Sequence, residues 1–435
     1  MDGIIIKPDT FAKLDVLADN AKYDVCLASC NTGSAGRGRT PDPTDPLRKW
    51  IYPANVPGKG LVSILKVLQT NVCKNHCSYC QFAADKDEVH RTTLQPDELA
   101  RSFMELVYRR LVTGIFLSSG VCGRPGKSME RMIKTAAILR TRYQYKGYIH
   151  LKILPGTPFD LVEKAVELAT RVSVNLEAPT KGHLSEIAPD KSFARDLVSR
   201  MKWAGELIQK KKGAYSQTTQ LVVGASDESD LDIMQTTDWI YRELFVYRTY
   251  FSAFQRHHEP KSFSPEPKLL REHRLYQSDF LLRGYGFRLP ELVFDQSGRL
   301  PLNVDPKTAH AMMHPELFPV DINKAEEETL LKVPGIGPLS ERRSLEKGVK
   351  NPFHNIDELK GSGAIVGRAE SYVEFSGNGT CQIPLFETPP PESWTTGKAP
   401  AGMENETKSA YSYPGQAGRK LNYSGFNREK SVLCR

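Results

Sequence analysis

The sequence predicts an α/β protein built on a partial (βα)6 barrel, with a small C-terminal all-α domain and a disordered tail. From Leu61 to Phe254, short β-branched or aromatic runs alternate with helical patterns six times, the signature of a parallel sheet covered by helices. Around Gly335 two helical segments flank a Gly-Ile-Gly turn. From Gly377 the chain is rich in Gly, Pro, Ser, Thr and Asn and loses periodicity, a composition that cannot bury a core.

The strands expected are Leu61 to Leu68, Gly114 to Ser119, Tyr148 to Leu154, Val172 to Glu177, Thr218 to Gly224 and Tyr247 to Phe254. Between the first two, Gln95-Pro96-Asp97-Glu98 opens a helix carrying Leu99, Phe103 and Leu106; proline and acids suit a first turn whose amides are unpaired. Between the second and third, Met129, Met132, Ile133, Ala136 and Leu139 recur at helical spacing and read as core. The organisation follows: an extension over 1–60, the barrel over 61–256, a connecting region over 257–317, the helical domain over 318–376 and the tail over 377–435.

The 435 residues are 40% hydrophobic and 25% charged, ordinary for a globular chain. A formal charge of +8 permits an anionic partner without naming one. No apolar run approaches the roughly 18 residues of a membrane span, and Met1 to Leu17 lacks the apolar core of a secretory signal. A cytoplasmic protein without membrane contact is expected, its eight cysteines reduced and available as ligands.

Cys73, Cys77 and Cys80 form a C-x3-C-x2-C triad in the loop after the first expected strand. Three thiolates so spaced can hold three irons of a cubane and leave the fourth without a protein ligand. Structural zinc takes four ligands, commonly from paired C-x2-C elements, and no second pair follows at the right distance. His76, inside the loop, reads as a solvated loop residue. Tyr79, just before Cys80, sets an aromatic ring inside the triad.

On the triad and the six-unit segment, Leu61 to Arg256 closely resembles the radical S-adenosylmethionine (SAM) superfamily. The resemblance implies a 4Fe–4S cluster and SAM, whose amine and carboxylate chelate the open iron and whose reductive cleavage gives a 5′-deoxyadenosyl radical. It also implies cofactor contacts. Ser118-Ser119-Gly120 stands where the superfamily has a Gly-Gly-Glu-like element for the methionyl amine, and here the carboxylate is missing. Asn175 and Glu177 look like ribose contacts, and Gly224 with Asp227 like the adenine side. Of the basic pair His150 and Lys152, only one is expected in the pocket, and Lys152 is favoured. Cys26, Cys30 and Cys122 leave open a second cluster or ordinary buried thiols.

Asp321 to Lys332, the turn Val333-Pro334-Gly335-Ile336-Gly337-Pro338 and a second helix through Arg343 make a helix-hairpin-helix signal, with Asn323 and Glu326 as a capping box. The turn amides are expected to face outward as a phosphate cradle. Lys332, Gly335, Ile336, Gly337, Ser340, Arg342 and Arg343 are the DNA-contact candidates, and Phe353 to Gly363 resembles a degenerate partner hairpin. Lys13 to Asp24, Phe116 to Val121, Tyr148 to Lys152 and this hairpin together resemble the family of DNA modification or repair radical SAM proteins linked with a uracil-DNA glycosylase-like partner. The resemblance implies DNA as substrate; RNA, or a non-catalytic iron-sulfur role in a repair complex, are the alternatives. In the tail, Gln382-Ile383-Pro384-Leu385-Phe386 resembles the peptide by which bacterial repair proteins bind the sliding clamp.

Overall fold

The computed structural model describes residues 8–21, 50–56, 60–210, 216–254, 266–348, 351–375, 391 and 393–396. Two compact units are found: Met1–Glu228 with Trp239–Phe263, and Ser229–Asp238 with Ser264–Asn427.

In the first unit, α1 (Pro8–Asn20) precedes a sheet of seven strands in chain order: β1 (Ile51–Val56), β2 (Gly60–Leu68), β3 (Gly114–Ser118), β4 (Tyr148–Lys152), β5 (Arg171–Ser173), β6 (Ser216–Val223) and β7 (Val246–Ala253). All six expected strands are present and parallel to their neighbours, while β1, which falls in the expected extension, adds an antiparallel edge. The fourth expected strand is cut to Arg171–Ser173; beyond it Glu177 returns to the sheet through a single bridge to Leu221.

The sheet is curled. Ala54 of β1, Ile64 of β2, Phe116 of β3, Tyr148 of β4 and Tyr250 of β7 share one buried cluster. Laid flat at about 4.8 Å per strand, β1 and β7 would stand about 29 Å apart. The register runs Lys66 opposite Phe116, Phe116 opposite His150 and His150 opposite Arg171 on this inner face. The opposite face, with Leu65, Val67, Ile115, Leu117, Ile149 and Leu151 buried, is the apolar one that the connecting helices cover. The expectation that β4 could offer only one of His150 and Lys152 fails, because residues two apart on a strand share a face. Both lie on the inner side.

The connecting helices are α2 (Pro96–Tyr108), α3 (Pro125–Thr141), α4 (Phe159–Leu168), α5 (Lys181–Ile187), α6 (Ser199–Lys210) and α7 (Asp230–Glu243). Helix α2 starts as expected, with Pro96 in the first turn and Glu98 accepting from the Gln95 amide at 2.8 Å. In α3, Met129, Met132, Ile133, Ala136 and Leu139 are all buried.

The second unit contains α8 (Glu266–Gly284), β8 (Val293–Asp295), α9 (Pro306–Met313), β9 (Val320–Asp321), α10 (Glu327–Lys332), α11 (Pro338–Gly348), α12 (Ile356–Lys360), α13 (Val366–Ala369), β10 (Val373–Glu374) and β11 (Trp394–Thr396). Much of the span expected to be a connector is therefore helical and belongs to this unit. Trp394–Thr396, expected within a disordered tail, pairs antiparallel with β8, and Trp394 is buried against Val293 and Ala309. Leu330, Val333, Ile336, Phe353, Leu359, Ala364 and Ala369 form one core between two helix pairs, α10–α11 and α12–α13.

The pairs meet at their turns. Gly335 and Gly363 have φ of +84° and +91°, and a side chain on Gly335 would stand 2.5 Å from the Ile365 carbonyl oxygen. Glycine is needed at 335 on both counts. The expected capping box is absent: Glu326 is the N-cap of α10, while the Asn323 amide bridges to the backbone N–H and C=O of Phe353 at 2.8 and 2.9 Å. Asn323 ties the second pair to the first instead.

Candidate active site

The cysteine loop leaves β2 through Gln69, Thr70 and Asn71, all buried polar side chains. Gln69 receives a 2.7 Å hydrogen bond from Thr135 of α3, and the Asn71 amide pairs with the backbone of His90 and Thr92. Arg91 donates to the carbonyls of Asn71, Phe82, Ala83 and Lys86 at 2.7 to 3.0 Å. One guanidinium thus closes both ends of the loop, satisfying backbone acceptors that no regular structure would pair. Sequence reading missed Arg91, which no spacing rule marks.

On its other side the loop is stitched to the end of β3: the Gly120 amide donates to Thr70 O at 2.7 Å and the Lys74 amide to Val121 O at 2.9 Å. A side chain on Gly120 would reach 2.4 Å from Val72 O and 3.2 Å from the Cys73 Cβ, so the third residue of Ser118-Ser119-Gly120 is fixed by contact with the cysteine loop. A third seam runs to the end of α5 and the segment after it, where the Ser78 amide meets Ile187 O at 2.9 Å and His76 gives Asp190 its amide and its ring nitrogen at 2.6 and 2.9 Å. His76 is exposed and its Nδ1 is engaged there, as a loop residue would be.

The three thiols are free; Cys77 is buried, Cys73 and Cys80 half-buried. Burial pushes Cys77 up and Cys80 up to about 12; Cys77 also feels the charge of Cys73, and Cys80 that of Cys77 and Cys73. Among the described residues no three His, Cys, Asp or Glu side chains could hold a single ion. A cubane suits this loop, since its three ligated irons sit at separate corners and want separate thiolates. The Phe82 amide points at the Cys80 sulfur at 3.4 Å, the kind of contact that tunes such a cluster. Cys73, Cys77 and Cys80 are the residues that would hold it.

Behind Cys77 lies a buried charged group. Lys191 donates to the Tyr79 hydroxyl at 2.8 Å and to Glu177 Oε1 at 3.1 Å, with side chains only 6% (Lys191) and 8% (Glu177) exposed. Burial alone would discharge Lys191, but Glu177 and the thiols outweigh it and hold its pKa above the ordinary value. Burial, then Glu177, keeps Tyr79 well above its usual range, so the phenol stays neutral. Glu177 sits at φ +70°, a left-handed conformation uncommon for a non-glycine residue and a marker of functional sites. Sequence reading singled out Tyr79 and Glu177 and missed Lys191.

The other candidates divide. Ser118, Lys152 and Asn175 lie on the inner face at the C-terminal ends of β3 to β5, with Asn175 donating to Gln220 at 3.2 Å. Ser119 bonds its neighbour's carbonyl. Gly224, at φ +81°, makes the turn after β6, but exposed Asp227 meets only the edge of His183 at 3.4 Å. The buried carboxylate of that turn is Glu228, which accepts from the Gly224 amide at 2.6 Å and the Ser226 hydroxyl at 2.7 Å. Cys122 is tied to Ser128 through its backbone; Cys26 and Cys30 lie outside the described residues.

Residues 67–240 match the profile of the radical SAM superfamily, and that match takes in the whole cysteine loop and β3 to β6. The chain carries a radical SAM domain. Enzymes with this domain bind a 4Fe–4S cluster and SAM and cleave SAM. No curated protein matches the chain. Among solved structures it is similar to the FeFe-hydrogenase maturase HydG from Carboxydothermus hydrogenoformans (15% identity, 50% of this chain and 51% of that one, TM-score 0.41). It is also similar to Streptococcus suis SuiB (13%, 50% and 46%, 0.37) and to coproporphyrinogen III oxidase from Escherichia coli (13%, 47% and 46%, 0.30). The chain spans about half the length of these structures. No helix among the described residues is long and apolar enough to cross a membrane.

In the second unit the expected phosphate contacts separate. Ile336 is in the core, Ser340 is buried with its hydroxyl accepting from the Gly337 amide at 2.8 Å, and the Ile336 amide returns to Val333. Lys332 is paired with Glu291 at 2.6 Å. These turn amides are satisfied internally, so the open cradle expected at Ile336 and Gly337 is corrected. Arg342 and Arg343 remain exposed.

Proposed function

We propose that this chain is a radical SAM enzyme that modifies or repairs DNA, taking a hydrogen atom from a nucleobase or sugar. When bound, the cluster and SAM supply the 5′-deoxyadenosyl radical; the protein's task is to hold the cysteine loop, exclude water and present the substrate. The observation that carries the DNA reading is the pair of hairpins joined at Gly335 and Gly363, with Arg342 and Arg343 exposed on α11. The guanidinium pair suits phosphate oxygens without base readout. The inner face of the sheet agrees. Its strands carry Lys66, His150, Lys152, Arg171 and Arg248 and no Asp or Glu at any strand position; Lys66, His150 and Arg171 are buried, and the half-buried Lys152 and Arg248 suit a phosphate-bearing substrate.

R342A/R343A is expected to weaken duplex binding regardless of sequence and to reduce the slope of log affinity against log salt by up to about 2. Unchanged binding would assign the hairpins to protein docking. Anaerobic reconstitution with a reductant, SAM and DNA is expected to yield 5′-deoxyadenosine, and deuterated DNA to pass label into it. An intact cluster with no 5′-deoxyadenosine would favour the non-catalytic role, and label from RNA alone the RNA one. A uracil-DNA glycosylase-like partner and the sliding clamp are proposed on the resemblance. Gln382 to Phe386 lies outside the described residues, and deleting it should abolish clamp pull-down while cluster assembly persists.

A further inference from the structure

The superfamily-like element at the end of β3 lacks the carboxylate that would meet the methionyl amine, reading Ser118-Ser119-Gly120. An amine buried beside a cluster still carries N–H donors that need an acceptor. Among the side chains described around the cysteine loop, one carboxylate has the right standing. Glu177 is buried, acts electrostatically on Cys77 and Tyr79, and uses Oε1 for Lys191 while its buried Oε2 has no hydrogen-bond partner.

A carboxylate oxygen left unmatched in a buried site is costly. The strained backbone at Glu177 and the lysine on its other oxygen hold it in place all the same. Asp227 is exposed, and Glu228 spends both oxygens on Gly224 and Ser226. Neither substitutes for it.

We propose that Glu177 Oε2 accepts from the methionyl amine of SAM, so that the amine-binding carboxylate has moved from the end of β3 to the segment after β5, with Lys191 as the positioning residue. This replaces the ribose contact that the resemblance implies for Glu177. It rests on the SAM-binding reading and not on the DNA reading.

The test compares two ligands on the reconstituted full chain under anaerobic conditions: SAM, and 5′-methylthioadenosine, which keeps the ribose and adenine and lacks the amino acid. In E177Q the affinity for SAM should fall by about 10- to 100-fold, the loss of a charge-assisted hydrogen bond, while 5′-methylthioadenosine binds within about twofold of wild type. Iron content and the visible spectrum report that the cluster is intact. Equal losses for both ligands would restore the ribose role and overturn the proposal, as would unchanged SAM affinity. If E177Q fails to assemble a cluster, E177D keeps the charge facing Lys191 and is read by the same two ligands. If wild type binds neither ligand, the SAM reading itself falls.

Discussion

Lys191 and Glu177 form a pair whose removal has a predictable sign. Two buried charges repay their desolvation only through each other, and here the lysine also anchors Tyr79 in the cysteine loop. Truncating one partner leaves the other uncompensated, so K191M should destabilise the full chain by about 3–5 kcal/mol in urea unfolding. The K191M/E177Q double variant should cost less than the sum of the single ones, the coupling expected of groups in contact. At Gly120 the constraint is steric. G120A drives a methyl into the Val72 carbonyl, a backbone atom that cannot rotate away, so iron bound per chain should fall sharply after reconstitution. The cysteine loop could be picked out from its spacing because contiguous loop residues carry their own geometry. Lys191 and Arg91 could not: each acts on residues distant in sequence, and only the fold reveals that distance to be short.

The hairpin carries a titratable strain. Glu341 on α11 is buried, and desolvation, then the neighbouring Glu327, raise its pKa to about 7. Between its ordinary value near 4.5 and about 7 the folded state holds a proton that the unfolded chain has lost. Stability from this group is therefore greatest at low pH and falls as pH rises through that window. His310 on α9 runs the other way: burial lowers it to about 4, so its contribution grows from about pH 4 to 6.5. The two partly cancel in the wild type, and the difference between wild type and E341Q isolates the first. Amide exchange in α11 should be slower in E341Q than in wild type at pH 8, with the gap closing by pH 5. A constant gap would mean that Glu341 is not the titrating group. Helices α2 and α3 and the six parallel strands were legible because period and first-turn chemistry are local signals. The Asn323 box was not, since the same side chain gains more by bridging two hairpins across 30 residues of sequence.

At the scale of the molecule, the barrel could be anticipated from six strand–helix alternations, but its edge could not. Strand β1 pairs by hydrogen bonds to β2 that no hydrophobic period announces, and Trp394–Thr396 likewise finds an edge in β8 from within a polar stretch. The reading of function joins two units that each have their own core, so their contributions should separate. Replacing Cys80 by Ala removes one thiolate of the triad and is expected to abolish 5′-deoxyadenosine formation, because a cluster short of a ligand neither assembles nor presents a defined open iron. Duplex binding at fixed salt should remain within about twofold of wild type, since the phosphate contacts proposed above are on α11. R342A/R343A should show the converse, with DNA-free SAM cleavage retained and duplex binding weakened. Filter binding and chromatographic detection of 5′-deoxyadenosine on the same preparations decide the matter: if C80A loses both, DNA affinity comes from the radical SAM domain and not from the hairpins.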